Sequence, residues 1–244
     1  VLVSNSRTAR DLDPVFTQML MATVRHADAI PQLTAREKTF LRVTADVCQP
    51  SLGLTFEAHV GAGVAQGVST ADLRALLRFV SYDCGYHAAV AGLERLVAYE
   101  TAHGIVPQAV EPLADDLVAT GSGAAPSPLP PPVRAHLAEL DEHFLEHFDL
   151  QSRMRSGHEP GTLTERERGF VSLSVDVHYQ TLAETFDAHI GRALRGGASR
   201  EDVRAVLRFI AQFGVTRAWH GWQALNAHFA GLDAAGLAVL SAPG

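Results

Sequence analysis

Thr55-Phe56-Glu57-Ala58-His59-Val60-Gly61 returns later in the chain as Thr185-Phe186-Asp187-Ala188-His189-Ile190-Gly191. Working outward, Leu33-Thr34-Ala35-Arg36-Glu37-Lys38 returns as Leu163-Thr164-Glu165-Arg166-Glu167-Arg168, and Asp72-Leu73-Arg74-Ala75-Leu76-Leu77-Arg78-Phe79 as Asp202-Val203-Arg204-Ala205-Val206-Leu207-Arg208-Phe209. One constant offset aligns all of these blocks without a gap. The unit is too long for a solenoid module, so the sequence reads as two similar domains fused in tandem. Between them runs Ala119 to Pro132, rich first in Gly and Ser and then in Pro, a composition expected to form an exposed linker that holds no helix. The expected boundaries are residues 1–118, a linker at 119–132, and residues 133–244.

Each repeat reads as helical throughout. Thr34 and Thr164 precede apolar-periodic runs with Glu37 and Glu167 three residues on, the capping-box spacing of a helix start. Ser69 and Ser199 stand in the same relation to Asp72 and Asp202, and Gly67 and Gly197 stop the helix before. Leu73, Leu76, Leu77 and Val80 recur at helical spacing, as do Val203, Val206, Leu207 and Ile210. Alternating β-branched runs bounded by hairpin signals are missing, so the expected fold is all-α.

The 244 residues carry 20 Lys and Arg against 27 Asp and Glu, a formal net charge of −7. That balance argues against nucleic acid or an anionic membrane surface as partner, since phosphate binding needs clustered cationic surplus. At 47% hydrophobic and 19% charged, the chain has the composition of a globular protein. No stretch approaches the roughly 20 apolar residues of a membrane span, and Val1 to Arg10 lacks the apolar core of a secretory signal. Two cysteines, Cys48 and Cys84, make no disulfide framework, which points to a reducing, cytoplasmic setting. They read as buried thiols, and the sequence leaves open whether they meet in space. A small molecule or another protein remains as the expected partner.

His59 and His189 occupy the same place in each repeat. On a helix, His59 shares a face with Thr55, Phe56, Ala62 and Gly63, and His189 with Thr185, Phe186, Arg192 and Ala193. An imidazole held among such side chains suits general acid or base work, because its ordinary pKa lies near neutrality and burial tunes it; the alternative is a core histidine bonded to a backbone carbonyl. Arg192 beside it would suit a carboxylate or enolate, since a guanidinium offers a planar two-donor fork. His136, His143 and His147 fall on a helix-like run from Ala135 to Leu150 among Glu139, Glu142 and Glu146. The better reading there is a solvated face, with no metal site expected.

The order Leu-Thr-x-Arg-Glu, then Ala-His-(Val/Ile)-Gly followed by Gly67 or Gly197, then Ser-x-x-Asp at a helix start, resembles the carboxymuconolactone decarboxylase family over most of both repeats. The resemblance implies tandem helical bundles of the alkyl hydroperoxidase D-like type, a homotrimer built from two fused subunits of a hexamer, and a site near the matching histidine. Of the family's two branches, thiol peroxidases need a Cys-x-x-Cys pair one turn ahead of that histidine. Leu52 and Thr55, and Leu182 and Thr185, hold those positions here. The resemblance therefore implies the cofactor-free branch, in which a carboxylate leaves as carbon dioxide and a side chain protonates the resulting enolate. A family segment near Tyr-x-Gly-x-Pro-x-Ala is kept whole in neither Tyr82 to Ala88 nor Gln212 to Ala218. That departure puts the particular lactone in doubt.

On this reading the chain is a cofactor-independent lyase acting on a small carboxylated lactone or carbonyl compound. His59, His189 and Tyr82 are the expected catalytic groups, and Arg192, Cys48, His178, Phe56, Phe186 and Trp219 the expected substrate contacts. Alternatives are a cyclase or isomerase using the same proton transfer, a thiol peroxidase, and a non-catalytic ligand-binding or assembly protein.

Overall fold

The computed structural model of the protein describes residues 13–157 and 163–241, with side chains described as far as residue 234; Val1 to Arg10 lies outside the described residues. Among these residues there are α-helices and 3-10 turns and no strand. The first repeat contributes α1 (Pro14–Asp28), α2 (Ala35–Cys48), α3 (Leu54–Ala65), α4 (Thr70–Cys84) and α5 (Tyr86–Ala102). A short α6 (Asp115–Val118), a 3-10 turn (Gly121–Gly123) and α7 (Pro131–Leu140) lead into the second repeat. That repeat contributes α8 (Glu142–Gly157), α9 (Glu165–Tyr179), α10 (Glu184–Arg195), α11 (Arg200–Ile210), a 3-10 turn (Ala211–Phe213) and α12 (Val215–Ser241).

The start signals work as the spacing predicts. Thr34 and Thr164 accept the amides of Glu37 and Glu167, whose carboxylates accept the Thr amides in return, and Ser69 with Asp72 and Ser199 with Asp202 close the same reciprocal box. Gly67 and Gly197 leave their helices at φ 89° and 91°, a left-handed region that a side chain would strain.

Two stretches differ from expectation. The run from Ala135 to Leu150 is broken at Asp141, which is extended and accepts the Phe144 amide at 2.6 Å to start α8. The segment 119–132 holds the 3-10 turn, and Pro131 and Pro132 open α7, where a proline's missing N–H is not needed. It is also tied down: Ser127 donates to the Asp149 carboxylate, and Arg153 donates to the Ala119 carbonyl at 2.8 Å.

Packing crosses the repeat boundary. α2 and α9 lie against each other at the centre, and each is buried nearly all round from its second turn to its end. One core gathers Phe40, Val43, Phe56, Val60, Leu73 and Leu77 with Leu163 and Val171 of the second repeat. The other gathers Phe170, Leu173, Phe186, Ile190, Val203 and Leu207 with Leu33 and Leu41 of the first. Leu33 corresponds to Leu163 and Leu41 to Val171, so the exchange follows an approximate two-fold relation. The leading helices cross over as well: α1 packs on α11, and its counterpart α8 packs on α4. Each core thus draws on both repeats.

A double ion pair joins the repeats. Arg166 Nε donates to Glu37 Oε1 at 2.6 Å and Arg36 Nε donates to Glu167 Oε1 at 2.7 Å, while each arginine also reaches the capping acid of its own repeat, Asp202 at 2.8 Å and Asp72 at 2.7 Å. Burial alone would raise the Asp72 and Asp202 carboxyls, but hydrogen bonds from the arginines and serines outweigh it and hold both below the ordinary range. Their contribution is therefore complete above the unfolded carboxylate range, about pH 4, and is lost as pH falls through the lower folded value. Glu37→Ala removes the capping carboxylate and one of the two ion pairs of Arg166, which keeps Asp202, an expected cost of about 1–3 kcal/mol. Glu37→Gln keeps one of the two acceptor oxygens and should cost less than Glu37→Ala. Urea unfolding of the two variants checks the order.

Where the second helix of each repeat meets the third, the repeats exchange bulk. A Cβ on Gly63 would lie 2.3 Å from Thr39 Cγ2, whereas the corresponding pair is Ala193 against Gly169. Gly63→Ala should destabilise by about 1–3 kcal/mol through overpacking, and adding Thr39→Gly, which copies the second repeat, should recover most of it in the same assay.

Candidate active site

Both histidines face an aspartate that sequence reading passed over. His59 on α3 places Nδ1 2.7 Å from Asp46 Oδ2 on α2, and His189 on α10 places Nδ1 2.6 Å from Asp176 Oδ2 on α9. Asp46 and Asp176 are 3% and 4% exposed. A buried carboxylate next to Nδ1 makes that nitrogen the donor, which leaves Nε2 as the nitrogen available to a reacting group. Burial pushes the Asp46 carboxyl up, opposed by its bonds to His59 and Thr55. Thr181 donates to Asp176 Oδ1 at 2.8 Å. One signal for these acids was present: Asp46 and Asp176 are single carboxylates at matching positions of otherwise apolar or small-residue helix segments.

Around these identical dyads the surroundings differ. Each is approached by the end of the fourth helix of the other repeat. Near His59 this is Phe213, whose ring stands edge-on to the imidazole at 6.2 Å and lies equally far from the His178 ring, while Gln49 donates to the Phe213 carbonyl at 2.8 Å. Buried His178 shares its Nδ1 proton with the Ser174 carbonyl at 2.6 Å, and burial lowers its pKa, so this ring stays neutral.

Near His189 the corresponding residue is Asp83. Burial raises its carboxyl, and the charges of Arg155, His189, Asp176 and Arg192 all act on it. Arg155, on α8, meets Asp83 with both terminal nitrogens, at 2.9 and 3.3 Å, and donates to Ser172 Oγ at 2.9 Å. Its guanidinium lies 4.1 Å over the Phe79 ring and 4.5 Å over Tyr82. Burial lowers the Arg155 pKa while it raises that of Asp83, so desolvation outweighs attraction on both partners. Sequence reading missed Arg155 and Asp83 because their meeting depends on the α8 crossover.

A cavity of about 280 Å³ opens between α4, α5 and α8, with Tyr82, Tyr86, Arg155, Arg168 and Val90 among its lining residues. Neither His59 nor His189 lines it; Arg155 connects it to the His189 cluster. Of the expected site residues, Tyr82 lies on this cavity wall, its hydroxyl 3.3 Å from Ser152 Oγ and its pKa raised by burial. Arg192 is part-exposed, 3.5 Å from Glu165. Cys48 does meet Cys84, Sγ to Sγ 3.5 Å. Phe56 and Phe186 are wholly buried in the two cores, not on a cavity wall, and Trp219 is exposed. No group of three or more potential metal ligands converges among the described residues, and no described helix is long and apolar enough to cross a membrane.

Fold and site together give an all-helical chain, among the described residues, with two His–Asp dyads, each approached by the opposite repeat. Residues 146–227 match the carboxymuconolactone decarboxylase family, a segment that holds α9, α10 and α11 with His189 and Asp176. A solved structure from Burkholderia xenovorans LB400, described provisionally as a gamma-carboxymuconolactone decarboxylase subunit, is similar over 89% of this chain and 87% of its own, at a TM-score of 0.51 and 20% identity. That likeness supports the fold. No curated protein matches the chain.

The Asp83–Arg155 pair gives a stability test. Arg155→Leu strands a buried carboxylate beside Asp176 and should cost about 3–5 kcal/mol. Adding Asp83→Asn should return part of that loss. Because the stranded carboxyl has a raised pKa, the single variant should gain stability relative to wild type as pH falls through its titration; urea midpoints across pH check both outcomes.

Proposed function

We propose that the protein is a cofactor-independent, decarboxylase-type enzyme in which His189 moves the proton. The observation that carries this reading is the contrast between the two dyads: the His59 ring meets Phe213, whereas His189 shares its surroundings with Asp83, Arg155 and Arg192. The family match over residues 146–227 supports the reaction class. The substrate is a small lactone or carbonyl compound bearing a carboxylate. Arg192, one turn from His189, holds that carboxylate or the enolate oxygen with its planar donor fork. Loss of carbon dioxide leaves its bonding electrons on the conjugated carbonyl as an enolate. Protonated His189 then delivers the Nε2 proton to carbon, while Asp176 on Nδ1 fixes the ring and complements the imidazolium. Tyr82 and Arg155 shape the polar wall between this cluster and the cavity. His59 keeps the dyad geometry as a structural counterpart, and the assembly is a homotrimer.

Gamma-carboxymuconolactone and simpler carboxylated lactones are the substrates to assay, by carbon dioxide release. His189→Ala and Asp176→Asn should lower kcat by about 10²–10⁴ and ten-fold or more respectively, Arg192→Leu should act mainly on KM, and His59→Ala should stay within a few-fold of wild type. Equal loss in both histidine variants would assign the chemistry to both repeats. Full activity in His189→Ala with the fold intact would remove the proposal.

A further inference from the structure

The proposed reaction leaves one reactive cluster unused. Cys48, the last residue of α2, and Cys84, the last residue of α4, bring their sulfurs to 3.5 Å, contact distance with nothing between them. Tyr179, the last residue of α9, reaches both thiols with its hydroxyl. Three helix C-termini therefore converge on one thiol pair, and Asp83 of the His189 cluster is the residue before Cys84. The second repeat has no equivalent, since His178 and Gly214 hold the matching positions.

The two thiols are not alike. The hydrogen bond shared with Cys48, in which either sulfur can donate, lowers the Cys84 pKa against the opposing effect of burial, and Tyr179 adds to the lowering. Cys48 is pushed up, first by that same bond and then by burial. Cys84 is half-buried beside Tyr179, itself 42% exposed, whereas Cys48 is buried. An attacking thiol within reach of solvent is thus backed by a proton-holding partner. A disulfide needs a sulfur separation of about 2.05 Å, so closure asks the pair to approach by about 1.5 Å. Both residues end their helices, and Gly85, at φ 85°, turns the chain out of α4 immediately afterwards.

We propose that Cys48 and Cys84 form a redox-active dithiol that closes to a reversible intrachain disulfide by exchange with a low-molecular-weight disulfide. The Cys84 thiolate attacks one sulfur of the small disulfide and displaces one thiolate, which leaves as a thiol on taking a proton. Cys48 then gives up its proton and attacks the Cys84 sulfur, releasing the second small thiol. The protein loses two electrons and two protons, and one small disulfide becomes two thiols. Closure ties α2 to α4 and removes the thiols from beside Tyr179 and Asp83.

The test uses the reduced, folded chain with excess oxidised glutathione, followed by alkylation and intact-mass measurement. Because the chain has only these two cysteines, the expected product is a monomer about two mass units lighter with no alkylatable thiol, restored by dithiothreitol. Cys48→Ser should instead hold one glutathione on Cys84. Cys84→Ser should react about ten-fold more slowly, and Tyr179→Phe should slow closure several-fold while leaving the end product unchanged. Two thiols that persist in the wild-type chain, a disulfide-linked dimer in place of the intrachain bond, or first attack at Cys48 would each overturn the proposal. None of these readouts depends on turnover, so failure here is distinguishable from failure of the His189 assignment.

Discussion

Glu37 and Glu167 each serve two structures at once. One carboxylate oxygen closes the capping box of its own helix, and the other accepts from an arginine of the opposite repeat. The local signal that starts a helix is thereby the same group that positions the two repeats against each other. Arg36 and Arg166 extend the link to the next capping box through Asp72 and Asp202. Four helix starts are held in one network, and the contact between α2 and α9 that it fixes brings both dyads under the opposite repeat.

This arrangement explains why the two sites have diverged on the covering side. Asp46 and Asp176 lie inside, and each keeps its histidine. The covering residues come from the other repeat, where a change at one position alters one site only. Phe213 and Asp83 are such a pair. An aromatic ring over His59 makes an apolar setting, whereas a carboxylate near His189 demands a cation, which Arg155 supplies from a helix that has crossed between repeats. The buried pair is costly to desolvate, as the opposite pKa displacements of its members indicate. It stands beside one dyad and not the other.

Much of the secondary structure was legible because its signals are local. Thr34 with Glu37 and Ser69 with Asp72, together with Gly67 and Gly197, act within a few residues and mark the helices where the structure has them. The histidines were legible through the repeat. Arg155 was not, because its ion pair spans 72 residues and depends on which repeat α8 packs against. The roles expected of Phe56 and Phe186 came from helical adjacency to the histidines, but adjacency on a helix does not say which side of that helix faces a cavity, and both rings point into core. The thiols show the same limit, since no Cys-x-x-Cys spacing announces a pair whose partners end two different helices.

The sequence by itself determined that the chain is helical, that it is a duplication, and that each copy carries one histidine in a family-like setting. These follow from capping, periodicity and internal identity, which are properties of short segments. Only the tertiary structure decided that the copies interpenetrate, that each dyad is covered by the other repeat, and that Cys48 meets Cys84. Those features arise from burial of apolar surface between α2 and α9 and from ion pairs across that contact, whose partners stand more than a hundred residues apart.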